Sequence, residues 1–342
     1  DTALATVALH DAGVPGDDPA MRAAGKWLLA EQVTCAGDWA VRRPRLRSAG
    51  WSFEFENDNY PDVDDTAEVV LALMRALPAS SRAGVPRFAG VARDGAGADR
   101  AGRILAACER AIDWLEGMQS SGGGWGAFDV DNTRSILRDI PFLDFGEVID
   151  EPSADVTAHA VEMLALCGRG DGEHARAGVQ WLLANQEQDG SWYGRWGVNH
   201  VYGTGAVVPA LVAAGLAGRH PSIRRAVRWL EEHQNDDGGW GEDPRSYDDP
   251  AWIGRGPSTA SQTAWALLAL HAAGEHTIAL ERGIRWLVDT QRADGTWDEP
   301  QYTGTGFPSD YYINYHLYRL TFPVTALGRC LGVVGGAGAD GQ

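Results

Sequence analysis

The sequence predicts an all-α fold, an (α/α)6 barrel, from two observations: a Gln–Trp spacing that recurs five times, and two classes of helical segment that alternate along the 342 residues. The spacing occurs at Gln32–Trp39, Gln119–Trp125, Gln186–Trp192, Gln234–Trp240 and Gln291–Trp297. A second tryptophan precedes each glutamine by five positions, at Trp27, Trp114, Trp181, Trp229 and Trp286. Each of these lies in a stretch with helical apolar spacing, as in Ala226 to Gln234. Every unit therefore reads as a helix, a Gly/Asp turn closed by a tryptophan plug, a loop and another helix. Most of the chain's 14 tryptophans are used as plugs between helices.

The helix after each turn opens with Thr-Ala or Thr-Gly before an apolar run: Asp65-Thr66-Ala67, Val156-Thr157-Ala158, Gly203-Thr204-Gly205, Gln262-Thr263-Ala264 and Val324-Thr325-Ala326. Asp1-Thr2-Ala3 has the same form. Threonine or aspartate there is expected to act as an N-cap. This second class counts six helices and is the more apolar, so it is expected inside, with five outer helices around it. A twelfth, outer helix would precede Asp1, so the chain reads as a piece of a longer protein. The stretch from about 78 to 102, rich in Ala, Gly, Ser and Arg, reads as a surface loop inserted in a barrel domain spanning 1–334. The Gly-rich tail 335–342 is expected to be disordered.

Composition excludes several classes of function. A net charge of −18 argues against nucleic acid, which needs a basic face, and gives no attraction to anionic lipid. Lys26 is the only lysine, which disfavours Schiff-base chemistry. Cys35, Cys108, Cys167 and Cys330 are far apart, with no CxxC pair, and suit a reduced protein. No apolar run approaches the eighteen residues of a membrane span.

The candidate chemistry lies in Pro61-Asp-Val-Asp-Asp-Thr-Ala-Glu68, three aspartates within four residues at the start of an inner helix. N-capping explains one acid there, not three. Asp155-Val-Thr-Ala-His159 opens another inner helix, and Asp155 and His159, four apart, share a face. Helix N-termini in such a barrel gather at one end, so the two groups are expected to form one site.

At these residues the chain resembles the squalene–hopene cyclases. The segment Pro61–Ala67 is similar to their Asp-x-Asp-Asp signature, and the Gln/Trp repeats are similar to those of that superfamily. Gly123–Asn132, Gly194–Asn199, Tyr202–Ala206 and Tyr302–Pro308 match as well. The resemblance covers nearly the whole chain and corresponds to the C-terminal, barrel-forming half of such an enzyme, with the second barrel domain absent. It implies polycyclisation of squalene to hopene, and to hydrated hopanol, started by protonation of an alkene. Asp64 matches the proton donor, Asp62 and Asp65 its flanking acids, and His159 its hydrogen-bonding partner. Asp155 and Asp1 match nearby carboxylates, and Tyr202 the tyrosine linked to proton return. Phe53, Phe128, Trp196, Phe307, Tyr311, Tyr315 and Tyr318 match cavity aromatics, whose faces stabilise positive charge. Phe142, Leu143 and Phe145 fall in the entrance loop. Phe128 and Tyr311 replace the more usual Tyr and Phe, and Leu143 replaces a Cys found in some members. The resemblance implies no metal and no cofactor. It implies monotopic attachment to the cytoplasmic side of the membrane, through the absent half, and a homodimer. Without that half, the fragment is not expected to catalyse.

An alkene is a weak base, so an ordinary carboxylic acid donates to it poorly. An imidazolium stabilises the carboxylate left behind, and neighbouring acids keep the cluster protonated at rest. Asp64-Asp-Thr-Ala-Glu68 also fits a DDxxE magnesium pattern. No second metal motif and no lysine cluster accompany it. A class II cyclase acting on a prenyl diphosphate is the nearest alternative. A glycosidase on the same barrel and a non-enzymatic repeat scaffold account for fewer of the residues.

Overall fold

The computed structural model describes residues 1–54, 56–77, 99–133 and 149–336. Among them are eleven α-helices: α1 (Thr2–Asp11), α2 (Pro19–Ala30), α3 (Val63–Arg75), α4 (Arg100–Gly117), α5 (Ala154–Leu164), α6 (Glu173–Ala184), α7 (His200–Ala213), α8 (Pro221–Glu232), α9 (Ala260–Ala272), α10 (Ile278–Thr290) and α11 (Tyr318–Gly336). Two short antiparallel hairpins interrupt them, β1 (Trp51–Ser52) with β2 (Pro61–Asp62), and β3 (Gly304–Phe307) with β4 (Tyr311–Ile313). The chain divides into two compact units, Asp1–His10 with Val14–Trp181, and Asp11–Gly13 with Leu182–Gln342.

Within the first unit α3 packs on α5, while α2 and α4 lie against α3. In the second, α7, α9 and α11 pack side by side, with α8 and α10 against α9. Helices α7 and α9 are apolar on every side, and nearly all their residues are buried. Helix α8 instead has one buried face, Ile223, Ala226, Val227, Trp229 and Leu230, opposite a charged one. The pattern separates inner from outer helices as the hydropathy predicts.

The repeat is a set of hydrogen bonds that recurs with little change. The plug indoles of Trp125, Trp192, Trp240 and Trp297 donate through Nε1 to the carbonyls of Leu115, Leu182, Leu230 and Leu287 at 2.7–2.8 Å. The glutamines Gln119, Gln186 and Gln234 donate through Nε2 to the carbonyl of their own turn, and again to a carbonyl of the following outer helix. Each turn glycine so clamped (Gly123, Gly190, Gly238 and Gly295) has φ between +83° and +104°, a conformation that favours glycine.

The first repeat corrects the sequence reading. Gln32 donates to Ala49 and Ala107, and it is Trp51, not Trp39, that donates to Leu28 at 2.7 Å. The turn is enlarged by an insertion that carries Trp39. That ring is buried edge-on against Trp114 with centroids 5.8 Å apart, and its Nε1 has no partner among the described residues. Trp51→Phe should therefore destabilise the protein by about 1–3 kcal/mol, because the Leu28 carbonyl is left buried and unpaired. Trp39→Phe should be close to neutral. Equal losses of thermal midpoint would contradict this assignment.

Two further expectations change. The threonines are not N-caps. Asp62 and Thr259 cap α3 and α9, while Thr66, Thr157, Thr204 and Thr263 sit one turn inside and accept the backbone N–H of the plug tryptophans at 2.9–3.1 Å. Their hydroxyls join turn to inner helix, work that a cap residue at the helix end could not do. The 78–102 loop also ends earlier than expected, since Asp99 caps α4 through Gly102 N and the helix begins at Arg100. Residues 78–98 and 337–342 lie outside the described residues, and α11 runs to Gly336, beyond the expected limit at 334.

Candidate active site

The acid centre is built at the N-terminal ends of α3 and α5. The β1–β2 pairing of Trp51 with Asp62 delivers the chain to the start of α3. The Asp62 carboxylate caps the helix, accepting from Asp65 N at 3.0 Å. Asp64 and Asp65 follow in the first turn, where the helix macrodipole favours negative charge. From α5, His159 Nδ1 donates to Asp64 Oδ1, a contact between residues 95 apart in the chain. Asp155, one turn before His159, is fully buried and accepts from Ser153 Oγ at 2.5 Å and Val156 N at 3.0 Å. Asp1 stands just before α1 and is exposed.

The electrostatics oppose an anionic cluster. Burial, then the charges of Asp65 and Asp64, push Asp62 well above the usual carboxylate range. Burial and Asp64 push Asp65 up to about 7, with His159 partly opposing. Burial likewise raises Glu68, one turn below Asp64. For His159 burial acts downward, but the charge and hydrogen bond of Asp64, with Glu68 and Asp155, outweigh it and raise the imidazole to about 10. Below about pH 7 the site thus sets an imidazolium against a protonated Asp65, with Asp62 and Glu68 also shifted towards the neutral form.

Linkage gives a test of Asp65. A carboxyl raised from 3.8 to about 7 on folding costs no stability below pH 4, and its cost grows as pH rises to about 7. Asp65→Asn removes that cost and keeps the backbone N–H that Asp62 caps. We expect the variant to match the parent near pH 4 and to exceed it near pH 7, by no more than about 4 kcal/mol. Asp65 is only half-buried, which lowers that ceiling. Thermal midpoints across pH 4–8 measure the difference, and a constant difference would refute the linkage.

Of the aromatic residues matched to the cavity, Phe53 and Phe128 lie in the first unit and the others in the second. Phe53 is 54% exposed, and Phe128 stands half-buried in the turn after Trp125. In the second unit Tyr202 is buried, with its ring 4.7 Å from Trp265, which also meets Tyr318 at 6.0 Å. Tyr315 and Tyr318 pack 4.5 Å apart, and Phe322 lies 5.0 Å from Tyr318. Phe307 and Tyr311 form a separate pair at 6.3 Å, and Arg195 lies over Trp196 at 4.3 Å. Trp265 and Phe322 escaped the sequence reading. Trp265 is a tryptophan on an inner helix that no repeat position explains, and that was the available signal. Phe142, Leu143 and Phe145 lie outside the described residues.

No group of three or more His, Cys, Asp and Glu among the described residues is arranged to hold a metal ion, and no helix there is long and apolar enough to cross a membrane. The family model described as "Squalene-hopene cyclase C-terminal domain" matches residues 1–331. The chain belongs to the squalene–hopene cyclase family. It is 53% identical over 332 residues to the squalene–hopene cyclase of Alicyclobacillus acidocaldarius, covering 96% of this chain and 49% of that protein. It is 44% identical to the Zymomonas mobilis squalene–hopene cyclase, covering 96% and 48%. The chain therefore spans about half the length of the curated relatives it matches. Among solved structures it is similar to the type II terpene cyclase MstE from Scytonema in complex with geranylgeranyl dihydroxybenzoate. That match has a TM-score of 0.63 and 18% identity, over 97% of this chain and 87% of that one. It is also similar to ent-copalyl diphosphate synthase from Streptomyces platensis, with TM-score 0.59 and 20% identity over 96% and 49%. The family fold is thus all-α, of the α/α-barrel type.

Proposed function

We propose that the complete protein cyclises squalene to hopene, with hopanol as the hydrated product, and that this chain supplies the acid. The observation that carries the reading is the hydrogen bond from His159 to Asp64, flanked by Asp62 and Asp65. His159 engages Oδ1 of Asp64, which leaves Oδ2 as the oxygen to deliver a proton to a terminal alkene carbon. The alkene π electrons form the new C–H bond, and the neighbouring carbon becomes cationic. Successive alkenes attack that cation, closing rings. Loss of a proton ends the cascade as hopene, and capture of water followed by loss of a proton from the new oxonium ends it as hopanol. As the proton leaves, Asp64 becomes the carboxylate whose charge favours the His159 imidazolium, and this developing ion pair stabilises the transition state. The upward shifts of Asp62 and Asp65, which favour their neutral forms, limit repulsion at that moment. Tyr202 is assigned to the water through which the proton returns. Aromatic faces such as Trp196, Phe307, Tyr311, Tyr315 and Tyr318 stabilise the travelling charge by about 0.5–2 kcal/mol each.

The same reading assigns the remaining length of the relatives to a second barrel domain and to attachment on the cytoplasmic side of the membrane, where an insoluble substrate resides. It also expects a homodimer. Incubation of the complete protein with squalene, followed by gas chromatography and mass spectrometry, tests the central claim. A pentacyclic hydrocarbon is expected. A product from a prenyl diphosphate and none from squalene would keep Asp64 as the acid and replace the substrate.

A further inference from the structure

Asp150 is a half-buried carboxylate to which proton transfer assigns no part. It lies ahead of α5 and faces the turn that follows the Trp125 plug. Its Oδ1 accepts from Ala127 N at 3.0 Å, and its Oδ2 accepts from Phe128 N and Asp129 N, both at 2.6 Å. Three successive backbone N–H groups on one carboxylate form an anion cradle. The backbone fits it closely. A Cβ added to Gly126 would lie 2.7 Å from both the carbonyl and Oδ2 of Asp150. Asp150 N donates to Asn132 O at 3.1 Å, and Ser153 N to Trp125 O at 3.1 Å, so the two segments are joined on both sides.

The braced turn reaches the acid centre directly. Ala127 O accepts from Val63 N at 2.8 Å. Val63 stands between the capping Asp62 and the donor Asp64, and its N–H is one of the first-turn donors that a helix leaves without an internal partner. We propose that Asp150 is a positioning residue: its carboxylate fixes the Ala127–Asp129 backbone, which in turn holds the start of α3 beneath Asp64 and seats Phe128. This rests on the cyclisation reading above. Asparagine is the informative replacement. It has nearly the same shape, but it lacks the charge, and its NH2 cannot accept from the N–H groups it would face.

The test uses the complete protein, squalene, and two variants, Asp150→Asn and Gly126→Ala. The first weakens the cradle chemically, and the second displaces the carboxylate without altering charge. Both are expected to lower turnover roughly 10–100-fold. Both should also raise the share of incompletely cyclised products. That share does not depend on how much of a preparation is folded, so it separates positioning from simple loss of structure. A fall in rate at an unchanged product ratio in Asp150→Asn would overturn the proposal. A parent protein inert to squalene would instead sink the cyclisation reading. The backbone of Ala127–Asp129 in a crystal structure of Asp150→Asn would then decide the brace, with displacement expected and an unmoved turn refuting it.

Discussion

Asp64→Asn in the complete protein is expected to lower squalene turnover by at least about 10³-fold while the protein stays folded. The amide keeps an oxygen for His159 Nδ1, so the contact between α3 and α5 can persist. What disappears is the proton. The neighbours do not supply a substitute in the same geometry: Asp62 Oδ1 is engaged in capping Asp65 N. A product assay with a detection range of four decades, alongside circular dichroism, measures both halves of this expectation. Turnover within tenfold of the parent would remove Asp64 from the donor role and leave the acid cluster unexplained.

His159→Phe is the second large effect. It removes the imidazolium that faces the carboxylate formed by proton transfer, and a loss of roughly 10²–10³-fold in kcat is expected. The stability consequence has a definite sign. His159 rises from 6.5 to about 10 on folding, so it contributes stability that is fully present below pH 6.5 and lost as pH passes through about 10. The variant should therefore be less stable than the parent at pH 6, and the two should converge above pH 10. The activity of the parent should decline earlier. Asp65 loses its proton through about pH 7, while His159 is still charged, and a new anion beside Asp64 opposes formation of a second. The alkaline limb of kcat should thus fall near pH 7, and Asp65→Asn should move it upward.

Much of this could be read from the residues alone. The four regular repeats, with Gln and Trp six apart, gave their helices, turns and plugs directly. The pairing of Asp64 with His159 followed from acids at one inner-helix start and a histidine at another. The first repeat misled because Trp39 lies seven residues from Gln32, where Trp51 makes the bonds. That single-residue difference in spacing was the only hint, since Gly37 precedes Trp39 as a glycine precedes every other plug. Asp150 was illegible for another reason. Its partners are backbone N–H groups more than twenty residues away, and a main-chain donor leaves no mark in a sequence. The cap role given to the threonines failed similarly, because cap and plug acceptor call for the same hydroxyl and differ only by one helical turn.

The bonds that hold the repeats together come chiefly from amides, indoles, hydroxyls and the main chain: Gln186 to Gly190 and Ser222, Trp192 to Leu182 and Thr204. None of these groups changes its charge in the ordinary pH range. Ionisable groups enter this frame at a few points, as His174 on Gln119 and Asp189 on Ser191, and they cluster where α3 meets α5. The repeats thus rest largely on bonds insensitive to proton concentration, whereas the two carboxylates that fix the start of α3, Asp62 and Asp150, are themselves ionisable, so acidity acts on the acid cluster and on its mounting together.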